Sequence, residues 1–271
     1  SDSGLYSKDT GEYYYNSRTA AITLESGYAE DDLSDLKTAI IKGIKVKDYN
    51  GNDISLSYDS DKSQEETFYE NYFTITDITD TKNDNKIIGF EVSFKKDCFY
   101  EMTLEYTDRS NNTCKAYKTA PDEKLVFYID TTAPEVTAKL TLRNYKGENK
   151  VYNSLGENPY YSTGLPLVES QLQPAKIMLE AKDNGSGVNA GYYYDSETIM
   201  TPGDLQKIHI SEWVEYTKEA DITEEGNHYI YYKVVDNTGN VGYYNGLGFV
   251  MDNTAPVISM SVKDKTDKNA F

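Results

Sequence analysis

The stretch Asp130-Thr131-Thr132-Ala133-Pro134-Glu135-Val136 recurs as Asp252-Asn253-Thr254-Ala255-Pro256-Val257-Ile258, 122 residues later. Each copy follows an apolar stretch, Leu125 to Ile129 and Gly246 to Met251, and leads into an alternating pattern. Proline fixes φ and pushes the residue before it toward extended geometry, which suits a stiff linker between strands. A second echo precedes each linker: Asp108-Arg109-Ser110-Asn111-Asn112 aligns with Asp236-Asn237-Thr238-Gly239-Asn240, each closing a strand in a tight turn. A repeat this long means tandem domains and excludes a solenoid. The expected division is domain 1 over 1–130, domain 2 over 131–252, and the opening strand of a truncated third repeat over 253–271.

Within each domain the period is two. Ile88, Phe90, Val92 and Phe94 alternate with polar residues, as do Cys98, Tyr100, Met102, Leu104 and Tyr106. In domain 2 the same holds for Val136 to Leu142, Ala175 to Ala181 and Ile230 to Val234. Such segments are half-buried strands with one wet face. Turn pairs fall between them: Asn50-Gly51, Asn184-Gly185, Pro202-Gly203, Gly226-Asn227 and Gly239-Asn240. One stretch has helical spacing, Asp32 to Lys42, with Leu33, Leu36 and Ile40 on one side and Gly43 to stop it. The expected fold class is all-β: two β-sandwiches with a short helix or loop insertion in the first.

Composition narrows the function. The 271 residues carry 27 Lys+Arg against 45 Asp+Glu, a formal charge of −18, which argues against nucleic acid or anionic membrane as partner. No segment is apolar for long enough to span a bilayer. Ser1 to Tyr6 reads as the edge of a longer protein, with no signal peptide. Catalytic signatures are missing: no nucleophile elbow, P-loop or dinucleotide fingerprint occurs, and His209 and His228 lack metalloprotease spacing. His209 is expected at an outward strand position. Two cysteines make neither a disulfide scaffold nor a zinc site. With the hairpin turn at 108–112, Cys114 lies opposite about residue 106, roughly 25 Å along the strand from Cys98. Two free thiols are the expected state.

At these residues the chain resembles the bacterial immunoglobulin-like repeats of large surface proteins in Gram-positive, often gut-dwelling, bacteria. The junction at 130–134 resembles their inter-domain linker. Ala181-Lys182-Asp183-Asn184-Gly185-Ser186-Gly187-Val188 is similar to the segment after their second strand, and Trp213 to Tyr216 with Gly226 to Asn240 is similar to their closing strands. Tyr13 to Thr23 resembles the opening strands of a related repeat type. Domain 1 departs from the pattern at Asn111, where the family prefers Gly, and in a long insertion around 28–86. The resemblance implies two tandem immunoglobulin-like antiparallel β-sandwiches in an elongated arrangement, exported and either secreted or anchored to the cell wall.

In that fold the linker and two loops meet at one pole, which would gather Asp130, Asp183, Asp236 and Asn240. Hard oxygen ligands suit Ca²⁺. The competing reading is that Asp and Asn cap local backbone in turns. Asp48-Tyr49-Asn50-Gly51-Asn52-Asp53 poses the same choice. No other cofactor is expected.

Tyrosine is the last signal, with 26 Tyr against 8 Phe and 1 Trp. Runs at 13–15, 192–194, 231–232 and 243–244 place adjacent rings on opposite sheet faces, so half of each run faces outward. Tyrosine gives stiff contact area with a polar tip and stacks on sugars, although its β propensity alone also explains its abundance. The candidate binding residues are Tyr13, Tyr15, Tyr192, Tyr194, Tyr231, Tyr243 and Trp213. The expected function is a non-enzymatic adhesion module that holds a host protein, immunoglobulin among them by resemblance, or a glycan, beside neighbouring repeats of its own chain. The alternatives are a structural stalk and an accessory carbohydrate-binding module of a larger secreted enzyme.

Overall fold

Alternation of period two yields strands along the chain, and the protein is all-β. The computed structural model describes residues 5–7, 12–23, 36–54, 72–82, 86–108, 110–115, 125–143, 148–152, 160–162, 174–252 and 257–261. In chain order the first strands are β1 (Leu5–Ser7), β2 (Tyr13–Tyr15), β3 (Thr19–Thr23), β4 (Leu36–Lys47), β5 (Phe73–Asp80), β6 (Lys86–Phe94), β7 (Phe99–Asp108), β8 (Thr113–Lys115) and β9 (Leu125–Ile129). There follow β10 (Glu135–Arg143), β11 (Asn149–Tyr152), β12 (Tyr160–Ser162), β13 (Ala175–Lys182), β14 (Val188–Ser196), β15 (Val214–Glu215), β16 (Ala220–Ile222), β17 (Gly226–Asp236) and β18 (Val241–Met251). They form four sheets, ordered β1-β2-β9-β7-β4 with β8 on β7, β3-β6-β5, β11-β10-β13-β16 and β12-β18-β17-β14-β15. Pairing is mainly antiparallel; β2 with β9 and β12 with β18 run parallel.

The described residues gather into two compact units. The first draws on Ser1–Val136, Glu180–Tyr192 and Tyr232–Tyr244, the second on Thr137–Leu179, Tyr193–Tyr231 and Asn245–Phe271. The core of the first unit is aromatic. Phe94 of β6 tilts over Tyr100 of β7 at 4.9 Å and meets Phe127 of β9 edge-on at 5.3 Å, joining two sheets face to face. Val92 and Tyr100 are fully buried, and Val46 and Ile129 nearly so. Burying a large apolar side chain contributes roughly 1.5–3 kcal/mol, so this cluster dominates local stability.

The helix expected from 32 to 42 does not form over its described part. Residues 36–47 are strand β4, paired with β7. Thr38, Ile40, Ile41, Ile44 and Val46 are β-branched, which restricts χ1 and favours a pleated backbone over a helix. Gly43, read as a helix stop, instead sits where the register shifts between Lys42 and Lys45. Positions 32–35 lie outside the described residues. The β7–β8 hairpin matches expectation: Tyr106 faces Cys114, and Cys98 is buried and free.

In the second unit Ala175, Ile177 and Leu179 point inward while Met178 is exposed, with Leu140, Leu142, Ile230 and Phe249 buried as well. Pro202-Gly203, expected as a turn, opens a one-turn helix, Pro202–Leu205, because Thr201 and Asp204 cap its end reciprocally. His209 is exposed but not in a strand; it caps the 3₁₀ turn Ile210–Glu212. Residues 257–261 form no strand, and Val257, Ile258 and Met260 are exposed. A segment with no neighbouring strand has no ladder to hold it extended.

Candidate functional site

Two features of the first unit stand out, a sheet face covered with rings and a trio of carboxylates. In the first, β9 joins β2 in parallel, with Tyr14 opposite Tyr128, and β7 antiparallel, with Phe99 opposite Tyr128. Cross-strand partners share a face, so Tyr14, Tyr128 and Phe99 form one row. The other face carries Val46, Tyr100 and Phe127, and the two rings meet Phe94 of the second sheet. Tyr14 stacks on Tyr128 at 4.4 Å and 9°, Phe99 meets it edge-on at 5.0 Å, and Tyr49 lies nearly parallel at 6.4 Å. Tyr49, Phe99 and Tyr128 are half-buried and reachable, while Tyr14, at 3% exposure, is buried at the end of the row.

Polar tips hold the rings in place. Tyr49 Oη donates to the Ile129 carbonyl, and Tyr128 Oη donates to Glu12 Oε1 at 3.0 Å. Burial pushes the Tyr128 hydroxyl up to about 12, helped by the bond to Glu12. Burial also raises Tyr49, with the Asp130 and Asp97 charges adding to it. Both therefore stay neutral donors at physiological pH. Tyr49 is placed by its hairpin: Asp48 Oδ1 accepts from the Asn50 and Asn52 amides at 2.9 Å, and Gly51 has φ +82°. Asp48 thus caps the backbone of its own turn.

The second feature joins the linker to two loops. One carboxylate oxygen each from Asp130, Asp183 and Asp236 lies within 4.8 Å of the others. Asp130 and Asp236 are 1% and 0% exposed. Each also caps backbone: Asp183 accepts from the Gly185 and Gly187 amides at 2.9 and 2.7 Å, Asp130 from the Ser186 amide at 2.6 Å, and Asp236 from the Asn240 amide at 2.8 Å. Gly185 is required by close approach, since a Cβ there would lie 2.4 Å from Asp130 Oδ2. Burial, opposed by the Ser186 amide bond and reinforced by the other two carboxylates, raises the Asp130 carboxyl.

Among the described residues no Lys, Arg or His bonds to these three. Two buried carboxylates and a half-buried third, without a counter-charge, are costly unless a cation or proton joins them. The spacing fits an ion: two ligands on one Ca²⁺ at about 2.4 Å each are at most about 4.8 Å apart. Ser186 Oγ adds a further oxygen, 1% exposed as a residue and without a hydrogen-bond partner. Asn240, expected as an oxygen ligand, turns its amide nitrogen to Asp236 Oδ2 and the Asp130 carbonyl at 2.7 and 2.9 Å. It serves as a donor that ties turn to linker.

Asp97 was not singled out from the sequence. It collects Arg18 Nε at 2.9 Å, the Thr131 amide at 3.0 Å and Thr132 Oγ1 at 2.7 Å, explaining both threonines of the linker. Burial alone would raise its carboxyl, but these donors outweigh it and hold Asp97 below the ordinary value.

The predicted tyrosines scatter. Tyr13 and Tyr15 are 45% and 40% exposed, while Tyr14 between them is buried. Tyr192 and Tyr243 are half-buried, Tyr192 with Lys233 Nζ 5.8 Å from its ring centre. In the second unit Tyr194 packs on Trp213 at 5.7 Å. Tyr231 and Trp213, expected on a binding face, are core residues at 4% and 5% exposure. Tyr231 Oη accepts from the Met200 amide, so the 197–201 segment covers the face that alternation left outward. The aromatic row was missed because it depends on the parallel β2–β9 pair, which brings residues 14 and 128 together across the whole unit.

No family model matches the chain, and no curated protein does. Among solved structures, the sialic acid binding region of a Streptococcus sanguinis SK1 adhesin bound to 3'sLn aligns with 89% of this chain and 75% of that one, at 11% identity and a TM-score of 0.21. A likeness that low carries no argument about fold or ligand.

Proposed function

We propose that this chain is a non-enzymatic binding module of a bacterial surface protein, secreted or wall-anchored in a Gram-positive bacterium and built from tandem immunoglobulin-like sandwiches. Its target is a host protein or glycan, held on the half-buried rings Tyr128, Phe99 and Tyr49, with the buried Tyr14 stacked on Tyr128 as support. The observation that carries this reading is the contiguity of that row on the sheet face turned away from the partner sheet. A stalk needs no such platform, and tyrosines serving β propensity alone have no reason to stack. Among the described residues no helix is long and apolar enough to cross a membrane. Ca²⁺ belongs to the proposal as the ion at Asp130, Asp183 and Asp236, with Ser186 Oγ beside them; it would supply the counter-charge those carboxylates lack.

Retention from serum and mucus, followed by a glycan array, tests the reading. Wild-type protein is expected to retain a defined component, and Tyr49→Ala with Phe99→Ala to lose it by tenfold or more, as for aromatic anchors worth about 2 kcal/mol. Circular dichroism of the double variant checks the fold. No retained component, or equal retention by a correctly folded double variant, refutes the assignment.

A further inference from the structure

The second unit holds a half-open cavity of about 280 Å³, lined by Tyr193, Tyr194, Asp195, Glu212, Asp221 and Glu224 among others. Four of these are carboxylates, and no Lys or Arg lines it. We propose that it takes the side chain of a lysine or arginine from an extended basic segment of a partner protein. The proposal goes beyond the aromatic row and does not rest on it, since the two lie in different units.

Size, charge and shape agree. The volume falls just below the range of drug-sized pockets, enough for one long side chain or one sugar ring. Charge chooses between them. Asp195 is matched by His228, whose Nδ1 is 2.8 Å from its Oδ2, and Asp221 lies 3.3 Å from Lys176 Nζ. Glu224 has no hydrogen bond or ion pair from its carboxylate, and Glu212 bonds only the His209 amide, at 3.4 Å, at the turn it caps. Two exposed carboxylates therefore line the cavity without an ion pair of their own, Glu224 acting on the His228 ring only from a distance. Their field draws an ammonium or guanidinium and gives a neutral sugar no such advantage. Tyrosine rings in the wall add a cation–π surface. A second cavity of about 480 Å³ shares Tyr193, Val214 and Asp221 with the first. Lys176 and Lys218 line it beside Glu215, Glu219 and Asp221, with Lys176 already paired to the last two. It is bordered by residues of the short strands β15 and β16. Each is the last strand of its sheet, and an extended chain lies readily along such edges.

Calorimetric titration with a blocked hexapeptide of alternating glycine and lysine tests this on the full chain. Wild type is expected to bind it and to ignore the norleucine analogue. Glu212→Gln with Glu224→Gln should weaken binding roughly tenfold, and Tyr193→Ala should weaken it further. A control with equal charge removed elsewhere, Asp53→Asn with Glu135→Gln, should stay within about twofold. All substituted carboxylates are exposed, so folding is not at stake. Equal loss in the control would show attraction to net negative charge alone. Loss of neutral oligosaccharide binding on Tyr193→Ala, with no peptide binding, would make the cavity a sugar site. Either result, or absence of peptide binding, overturns the proposal. Unchanged peptide binding by Tyr49→Ala with Phe99→Ala keeps this test separate from the aromatic row.

Discussion

At the scale of single residues, two glycine-dependent positions carry much of the first unit's local order. Gly185 lies against the whole Asp130 carboxyl, with Cγ and both oxygens within 2.8 Å of where a Cβ would sit. Asp130 is pinned by the Ser186 amide and cannot retreat without losing that bond. Gly185→Ala is expected to cost about 2 kcal/mol, read as a lowered midpoint in denaturant with unchanged slope; a neutral result would mean the carboxyl moves freely. The paired turns give the complementary case. Gly239 has φ +93°, and Asn111, its counterpart in the first hairpin, has φ +65°. Asparagine tolerates that region better than other side-chain-bearing residues, so the departure at Asn111 from the glycine of the repeat pattern leaves the turn geometry intact. Both turns were readable from the sequence because turn chemistry is local. The aromatic row was not, because nothing near Tyr128 announces a partner at Tyr14.

At the scale of elements, alternation found the long strands β6, β7, β10, β13 and β17, and errors came where a neighbour overruled the local pattern. The 231–232 run is buried on both sides because the 197–201 segment folds over it, and β4 became a strand despite its spacing because its β-branched residues found β7. The β14–β17 pair offers a test of an element held by a titrating bond. Asp195, through its hydrogen bond, holds His228 above its ordinary value of 6.5, with burial opposing; the Glu224 carbonyl, 3.0 Å from Nε2, adds to the rise. A raised folded value means that the charged ring favours the native state. That contribution is complete below about pH 6.5 and fades as pH rises through the folded value. The melting-temperature gap between wild type and Asp195→Asn should be widest near pH 5.5 and narrow by about pH 8. A gap that widens with pH would show that the bond does not depend on the charged ring.

At the scale of the whole molecule, the charge of −18 is unevenly placed. Among the described residues most acids are exposed. Asp130 and Asp236 are buried beside the half-buried Asp183, and a bound ion there should register globally. Binding to the native state alone contributes about 3 kcal/mol at a hundredfold excess over Kd. Excess Ca²⁺ is expected to raise the melting temperature by several degrees and EDTA to reverse it, with Asp236→Asn insensitive to both. An unchanged melting temperature in wild type would remove the ion. The parallel pairing of β2 with β9 has a mechanical consequence. Once β1 has peeled away, tension between Glu12 and Thr131 pulls these two strands past one another along their length. Their ladder, with the Asp130 amide bonded to the Tyr15 carbonyl, is then loaded in shear. Its bonds must yield together rather than one by one, so the first unit should resist a pull along the chain better than its size suggests.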